Sequence, residues 1–298
     1  MLKTVYNILM TGPPGSGKTM LARCVPSILP PMSEEESLET TKIYSAAGLL
    51  QETTALITER PFRSPHHTVT SAALCGGGRN PRPGEVSLAH NGVLFLDELP
   101  EFKRETLEVL RQPLEEGFVT VTRMMAAYTF PARFMLLASM NPCPCGMLTD
   151  KEAECICTDR QVFNYRHKIS GPLLDRLDLF VEVARLRYDE VAGQKNGENS
   201  AEIAKRVARA RGRQLARFRG EGISHNAEMK PQHLDKYCRL DAAGRDLLRH
   251  AFSRLHLSAR AYDRILKVAR TIADLEDEQK ILPVHLAEAI SYRQPVYY

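Results

Sequence analysis

The sequence predicts an α/β fold: a parallel sheet with helices on both faces, followed by a smaller all-helical domain. Two observations carry that prediction. Up to about residue 187, short apolar strand patterns alternate with helix-like segments, and strands separated by helices build a parallel sheet covered on both faces. From about residue 200 only helical periodicity remains. The stretch 188–200, with Gly193, Gly197 and several polar residues, reads as the linker between a domain at 1–187 and a second at 201–298. The chain has 298 residues, 43% hydrophobic and 26% charged, which gives it the length and balance of about two globular domains. A stapled miniprotein and a largely disordered chain are thereby excluded.

The elements follow in order. An apolar strand pattern at 5–10 runs into Gly12-Pro13-Pro14-Gly15-Ser16-Gly17-Lys18-Thr19, and Met20-Leu21-Ala22-Arg23 continues with helical composition. Ser33 with Glu36 makes a capping box that opens a second helix toward Tyr44. Pro61-Phe62-Arg63-Ser64-Pro65-His66-His67, Gly76-Gly77-Gly78 and Pro81-Arg82-Pro83-Gly84 mark long loops. Residues 93–96 form a buried strand ending in Asp97-Glu98, and 103–114 read as a helix stopped near Gly117. Residues 118–122 and 128–134 are the arms of a hairpin, and 134–139 form the next buried strand, followed by Asn141. In the last third, 258–276 place Tyr262, Ile265, Leu266, Ala269, Ile272 and Ala273 on one stripe, with Arg264, Lys267 and Arg270 elsewhere on the surface.

Charge is unevenly placed. Of 40 basic and 36 acidic side chains, 19 and 12 fall at 201–298, leaving the first 200 residues slightly acidic. Lys205, Arg206, Arg209, Arg211, Arg213, Arg217 and Arg219 follow one another with no acid between them, as either a phosphate-contacting surface or a solvated basic helix face. No apolar run reaches the ~18 residues of a membrane helix. The first ten residues run straight into the glycine-rich loop and not into a signal cleavage site. The expectation is a soluble, cytoplasmic protein in a reducing compartment.

Gly12 to Thr19 fit the phosphate-binding pattern G-x-x-x-x-G-K-[ST], in the strand-to-helix context that pattern needs. Glycines let backbone N–H groups wrap the phosphates, Lys18 reaches the β and γ oxygens, and Thr19 offers a hydroxyl to Mg²⁺. Asp97, at the end of an apolar strand, is placed to hold the Mg²⁺ shell, and Glu98 to polarise the attacking water. Together they point to hydrolysis of a nucleoside triphosphate, with ATP and Mg²⁺ as the expected ligands. Asn141 ends another apolar strand, where its amide either orients the water or makes an Asx turn before Pro142. Arg176 and Arg260 are candidates for contact with the γ-phosphate, or are ordinary surface arginines.

Four runs together resemble a known group. They are the phosphate loop, Leu-Phe-Leu-Asp-Glu-Leu-Pro-Glu-Phe at 94–102, Asn-Pro-Cys-Pro-Cys-Gly at 141–146 and Ser-Gly-Pro-Leu-Leu-Asp-Arg at 170–176. With Arg-Pro-Phe-Arg-Ser-Pro-His-His-Thr at 60–68, they are similar to the magnesium-chelatase-like AAA+ ATPases of the ComM/YifB type, from Tyr6 to about Arg293. The resemblance implies a homo-oligomeric ring, a hexamer, with nucleotide between subunits. Asn141 then matches the first sensor, Arg176 the arginine finger reaching a neighbour's site, and Arg260 the second sensor on the helical lid. It also implies a DNA motor that drives branch migration during recombination, notably of incoming DNA in natural transformation. The competing reading is an ATPase that remodels a partner protein, as the chelatase subunit does. Members of the group carry a further N-terminal domain, similar in fold to part of Lon-type proteases, before the first strand. Here about five residues precede that strand, so the chain is expected to be a fragment or shortened at its start.

Cys143, Cys145, Cys155 and Cys157 form two Cys-x-Cys pairs in a Pro- and Gly-containing loop. They read as a structural Zn²⁺ site, as reduced packing cysteines or as a redox pair. Zinc ribbons usually space the inner pair by two residues, and this sequence by one. Cys24, Cys75 and Cys238 read as buried thiols. His66 and His67 lack acidic or cysteine partners nearby for a metal. In the group resembled, this insertion and the hairpin around 123–128 project toward the ring's channel, so Arg63, His66, His67 and Arg123 are the expected contacts to DNA phosphates.

Overall fold

The first strand, β1 (Ile8–Thr11), leads through the glycine-rich turn into α1 (Lys18–Ile28). The structure, a computed structural model, describes residues 6–50, 55–78, 81–123, 126–150, 152–185, 197–255 and 257–293, with the backbone alone at 123 and 126. Helix α2 (Glu34–Ala47) opens on the expected capping box: Ser33 Oγ accepts from the Glu36 amide, and the Glu36 carboxylate accepts from the Ser33 amide at 3.0 Å. It closes on Gly48, whose φ of 73° is the left-handed cap conformation.

The region expected as long loops holds short elements instead. These are β2 (Phe62–Arg63), α3 (Ser71–Cys75), a two-stranded ribbon of β3 (Gly76–Gly77) and β4 (Arg82–Pro83), and α4 (Glu85–Leu88). Strand β5 (Val93–Leu96) follows. The helix expected over 103–114 is broken into α5 (Arg104–Glu108) and α6 (Arg111–Glu116). Pro113 explains the break, because its ring opposes the carbonyl four residues back, at Val109, and it has no N–H to give that carbonyl. The hairpin β6 (Phe118–Arg123) and β7 (Ala126–Pro131) precedes β8 (Met135–Met140). Then come α7 (Asp159–Arg166), α8 (Gly171–Leu174) and β9 (Leu179–Glu182).

The main sheet has the order β2-β5-β8-β1-β9. The pairs β2/β5, β5/β8 and β1/β8 are parallel. Every residue of β5 and β8 is buried. Successive side chains point to opposite faces, so both faces are covered there.

Two compact units divide the chain. The first comprises the described residues among 1–26, 31–177 and 181–197, and the second those among 27–30, 178–180 and 198–298. Residues 186–196, most of the expected linker, lie outside the described residues. The second unit is built from α9 (Ser200–Arg217), α10 (Pro231–Tyr237), α11 (Ala242–Arg254), α12 (Ala259–Leu275) and α13 (Pro283–Ser291). The α12 stripe buries Ile265, Leu266, Ala269, Ile272 and Ala273 as expected, while Tyr262 stays 40% exposed. Arg270, expected on the surface, is 2% exposed. Its guanidinium donates to the carbonyls of Gln279 (2.7 Å) and Glu278 (2.6 Å) and lies 3.2 Å from Asp274 Oδ1, which compensates the lost hydration. Among the described residues no helix is long and apolar enough to cross a membrane.

Candidate phosphate-binding site

Because β8 lies between β5 and β1 and all three run parallel, their C-terminal ends emerge at one sheet edge, where open α/β sheets bind ligands. The register pairs Thr11 with Met140 and Leu96 with Ala138. The residues that follow are Gly12, Asp97 and Asn141, so topology alone brings together three segments far apart in sequence.

Lys18 is buried, and its Nζ donates to the carbonyls of Gly12 and Pro13, each at 2.8 Å, to Ser16 Oγ at 3.3 Å and to Asn141 Oδ1 at 3.4 Å. Burial lowers its pKa, and the nearby Asp97 and Glu98 charges oppose that shift. Gly15 and Gly17 take φ of 75° and 86°, a conformation that side chains disfavour, and so let the loop curl back over Lys18. Gly12 is required for a different reason: a Cβ there would lie 2.1 Å from the Val183 carbonyl oxygen.

Thr19 Oγ1 donates to Asp97 Oδ2 at 2.7 Å. The hydroxyl and carboxylate expected to share Mg²⁺ are therefore adjacent hard oxygen donors, the set that ion prefers. Ser139, two residues before Asn141, donates its hydroxyl to Asp97 Oδ1 and accepts from the Glu98 amide at 3.4 Å. Nothing in the sequence marked Ser139, which sits in an apolar strand; its alignment with β5 is the missing signal. Glu98 has φ 54° and ψ 50°, left-handed for a side chain that gains nothing from it locally, as is common where backbone strain serves a site. Its carboxylate projects into solvent, 3.9 Å from His67 Nδ1.

The remaining candidates lie as follows. Asn141 turns its amide oxygen toward Lys18 Nζ. Arg176 is only 7% exposed, held by Glu115 and by the Pro172 carbonyl. Arg260 is exposed in the first turn of α12. Arg63 makes a two-point ion pair with Glu85, at 2.7 and 2.8 Å, so its charge is already engaged. The His66 and His67 rings lie tilted at 36° with centroids 4.0 Å apart, and His67 has the acidic neighbour that the sequence did not show, Glu98. The Arg123 side chain lies outside the described residues. Cys75 and Cys238 are buried as expected, but Cys24 is exposed on α1, because its helix turns that face outward. The sulfurs of Cys143, Cys145, Cys155 and Cys157 all lie within 4.8 Å of one another.

Two family models match the chain. Magnesium chelatase, subunit ChlI, covers residues 3–204, and the C-terminal model of the same subunit covers 197–293. The chain is 46% identical over 292 residues to the YifB protein of Salmonella typhimurium, covering 97% of this chain and 56% of that protein. It is 45% identical over 294 residues to competence protein ComM of Haemophilus influenzae, covering 98% and 56%. It is 24% identical over 160 residues to the magnesium-chelatase subunit ChlI of Euglena gracilis, covering 46% of each. The chain thus spans just over half the length of the YifB and ComM relatives.

Proposed function

The chain belongs to the magnesium chelatase, subunit ChlI, family, and from that premise we propose that it is an AAA+ ATPase that splits Mg-ATP with water, works as a ring of identical subunits in the cytoplasm, and drives movement on DNA. The observation that supports it most is the convergence of Lys18, Thr19, Asp97 and Asn141 at one sheet edge. Lys18 and the backbone N–H groups of residues 15–19 bind the phosphates. Thr19 and Asp97 would hold Mg²⁺, which supplies neutralising charge on the phosphate oxygens. Glu98 takes a proton from the attacking water as its oxygen bonds to the γ-phosphorus and the bond to ADP breaks. Asn141 orients that water. Arg176 is the arginine finger and Arg260 the second sensor of this reading; Arg176 must leave Glu115 to reach a neighbour's site.

The DNA role rests on the likeness to competence protein ComM and on the basic C-terminal third. Arg63, His66, His67 and Arg123 are its phosphate contacts, and at Arg63 DNA must displace Glu85. A second reading, remodelling of a partner protein, has its own support in α9. There Arg217 is paired with Asp274, Arg213 with Asp277, Arg206 with Glu198 and Lys205 with Glu202, so much of the basic run is neutralised within the unit. Arg209 and Arg219 are exposed.

The test is ATP hydrolysis against protein concentration, with and without branched DNA, using Lys18→Ala as the blank. A rate that rises cooperatively with concentration and is stimulated by DNA is expected. A Lys18-dependent rate indifferent to DNA selects protein remodelling, and no rate above the blank rejects the ATPase reading for this chain.

A further inference from the structure

We propose that Cys143, Cys145, Cys155 and Cys157 are the four ligands of one tetrahedral zinc centre, and that this centre holds the segment after β8 against the phosphate-binding loop. The first half rests on sulfur geometry. Cys143 Sγ lies 3.4 Å from Cys145 Sγ and 3.7 Å from Cys155 Sγ, and Cys145 Sγ lies 3.6 Å from Cys155 Sγ. Cys157 Sγ completes the set and accepts from the Cys145 amide at 3.4 Å. A tetrahedron with Zn–S bonds of about 2.3 Å has edges of roughly 3.8 Å. A disulfide would hold two sulfurs at about 2.05 Å, and none is so close.

Packing does not account for the cluster. The thiols that do pack, Cys75 and Cys238, are each buried and each directed at one backbone carbonyl, of Val109 and Leu266. The four clustered cysteines instead point at one another from a loop in which three are partly exposed. Ile156, between the last two, is 85% exposed, so its side chain does not fill the space between the pairs. Each thiol gives its proton to solvent and a lone pair to the metal, leaving a dianionic centre, and no electron is transferred. Four thiolates in tetrahedral array select zinc or iron over harder ions.

The second half concerns where the loop lies, and it rests on the phosphate-loop reading above. Gly146, one residue after Cys145, has φ 81° and packs so tightly on the phosphate loop that a Cβ would lie 2.5 Å from Pro14 Cδ. Asn141, two residues before Cys143, accepts from Lys18. Between them the Pro142 carbonyl accepts from Arg166 Nε at 3.2 Å and from its terminal nitrogen at 3.1 Å. The segment is thus pinned at both ends to the phosphate loop, and the zinc centre fixes its middle.

Elemental analysis of the purified full chain, with mercurial release into a zinc indicator, tests the first half. About one zinc per chain, released only as four thiols are titrated, is expected. Iron in place of zinc, or four freely titrating thiols without metal and no tetrahedral thiolate spectrum on adding Co²⁺, overturns it. The second half is read from binding of a fluorescent ATP analogue. Cys157→Ser should lose zinc and weaken binding by about 5-fold or more, and Cys157→His, which keeps a zinc ligand, should recover both. Lys18→Ala should lose nucleotide and keep zinc, so failure of the phosphate-loop reading is visible separately. Zinc loss in a folded Cys157→Ser chain with unchanged nucleotide affinity overturns the bracing.

Discussion

Two buried cationic sites are held in opposite ways. In the helical unit, Arg217 and Arg270 converge on Asp274, whose carboxylate has no exposure and also accepts from Asn226 at 2.8 Å. In the α/β unit, Lys18 donates to carbonyls, a hydroxyl and an amide, all neutral, while Asp97 and Glu98 act on it only at longer range. A cation matched by a buried carboxylate is a structural element, since separating the pair strands a charge. A cation held only by neutral oxygens keeps its attraction for an anion that can do better than they do. The first arrangement is built for stability and the second for a ligand.

The largest expected effect breaks the structural site. Asp274→Ala leaves the buried Arg270 and the part-buried Arg217 guanidinium groups without their carboxylate and should cost about 3–5 kcal/mol, measured by urea denaturation and by early proteolysis within 198–293. A loss below about 1 kcal/mol would mean that the carbonyls of Glu278 and Gln279 suffice for Arg270, and the contrast between the two sites would fall. Lys18→Met is the matching test at the other site. It keeps the apolar stem and removes a charge that no carboxylate contacts, so stability should stay level or rise. Mg-ATP hydrolysis should fall about 10²–10³-fold, the magnitude seen when one preorganised donor to a developing charge is removed. Equal losses in stability and in hydrolysis would make Lys18 a structural residue after all.

The two sites also differ in how readable they were. The phosphate loop, the Asp97-Glu98 pair and the capping box at Ser33 are local patterns, in which spacing carries the chemistry directly. The convergence on Asp274 is not local: Arg217 lies 57 residues from it, and amphipathic periodicity assigns Arg270 to the surface because it counts a charge as exposed whatever faces it. Ser139 was invisible for the same reason in reverse, a polar residue in an apolar strand whose partner lies on the neighbouring strand. The four cysteines were legible as a set, but the contact of Gly146 with Pro14 depends on how β8 and β1 align. The break after Glu108 is marked in the sequence by Pro113, which acts on the carbonyl four residues back, while the apolar pattern of 103–114 runs on through it. Arg63 read as a free cation because Glu85 lies 22 residues on, across the ribbon of β3 and β4.

His90 sharpens the comparison, because a buried group can face a carboxylate and still be uncharged. Its Nδ1 accepts from the Arg133 amide at 3.0 Å, so the ring proton sits on Nε2, which faces Glu39 Oε2 at 3.2 Å. A second proton would set two donors against each other at Nδ1. Burial lowers the His90 pKa below its ordinary 6.5, and Arg133 adds to the shift, while Glu39 and Glu36 oppose it without overcoming it. Above pH 6.5 neither folded nor unfolded chain holds the extra proton. As pH falls through that value the unfolded chain takes it up first, and stability is lost. Between pH 7.5 and 5.5 this one group should remove up to about 1.4 kcal/mol, measured by urea denaturation at the two pH values. His90→Gln retains one donor and one acceptor and has no proton to gain, so it should lose correspondingly less over the same interval. If both chains lose the same amount, His90 is charged in the folded protein, and a facing carboxylate would then mark a buried charge here as it does at Asp274.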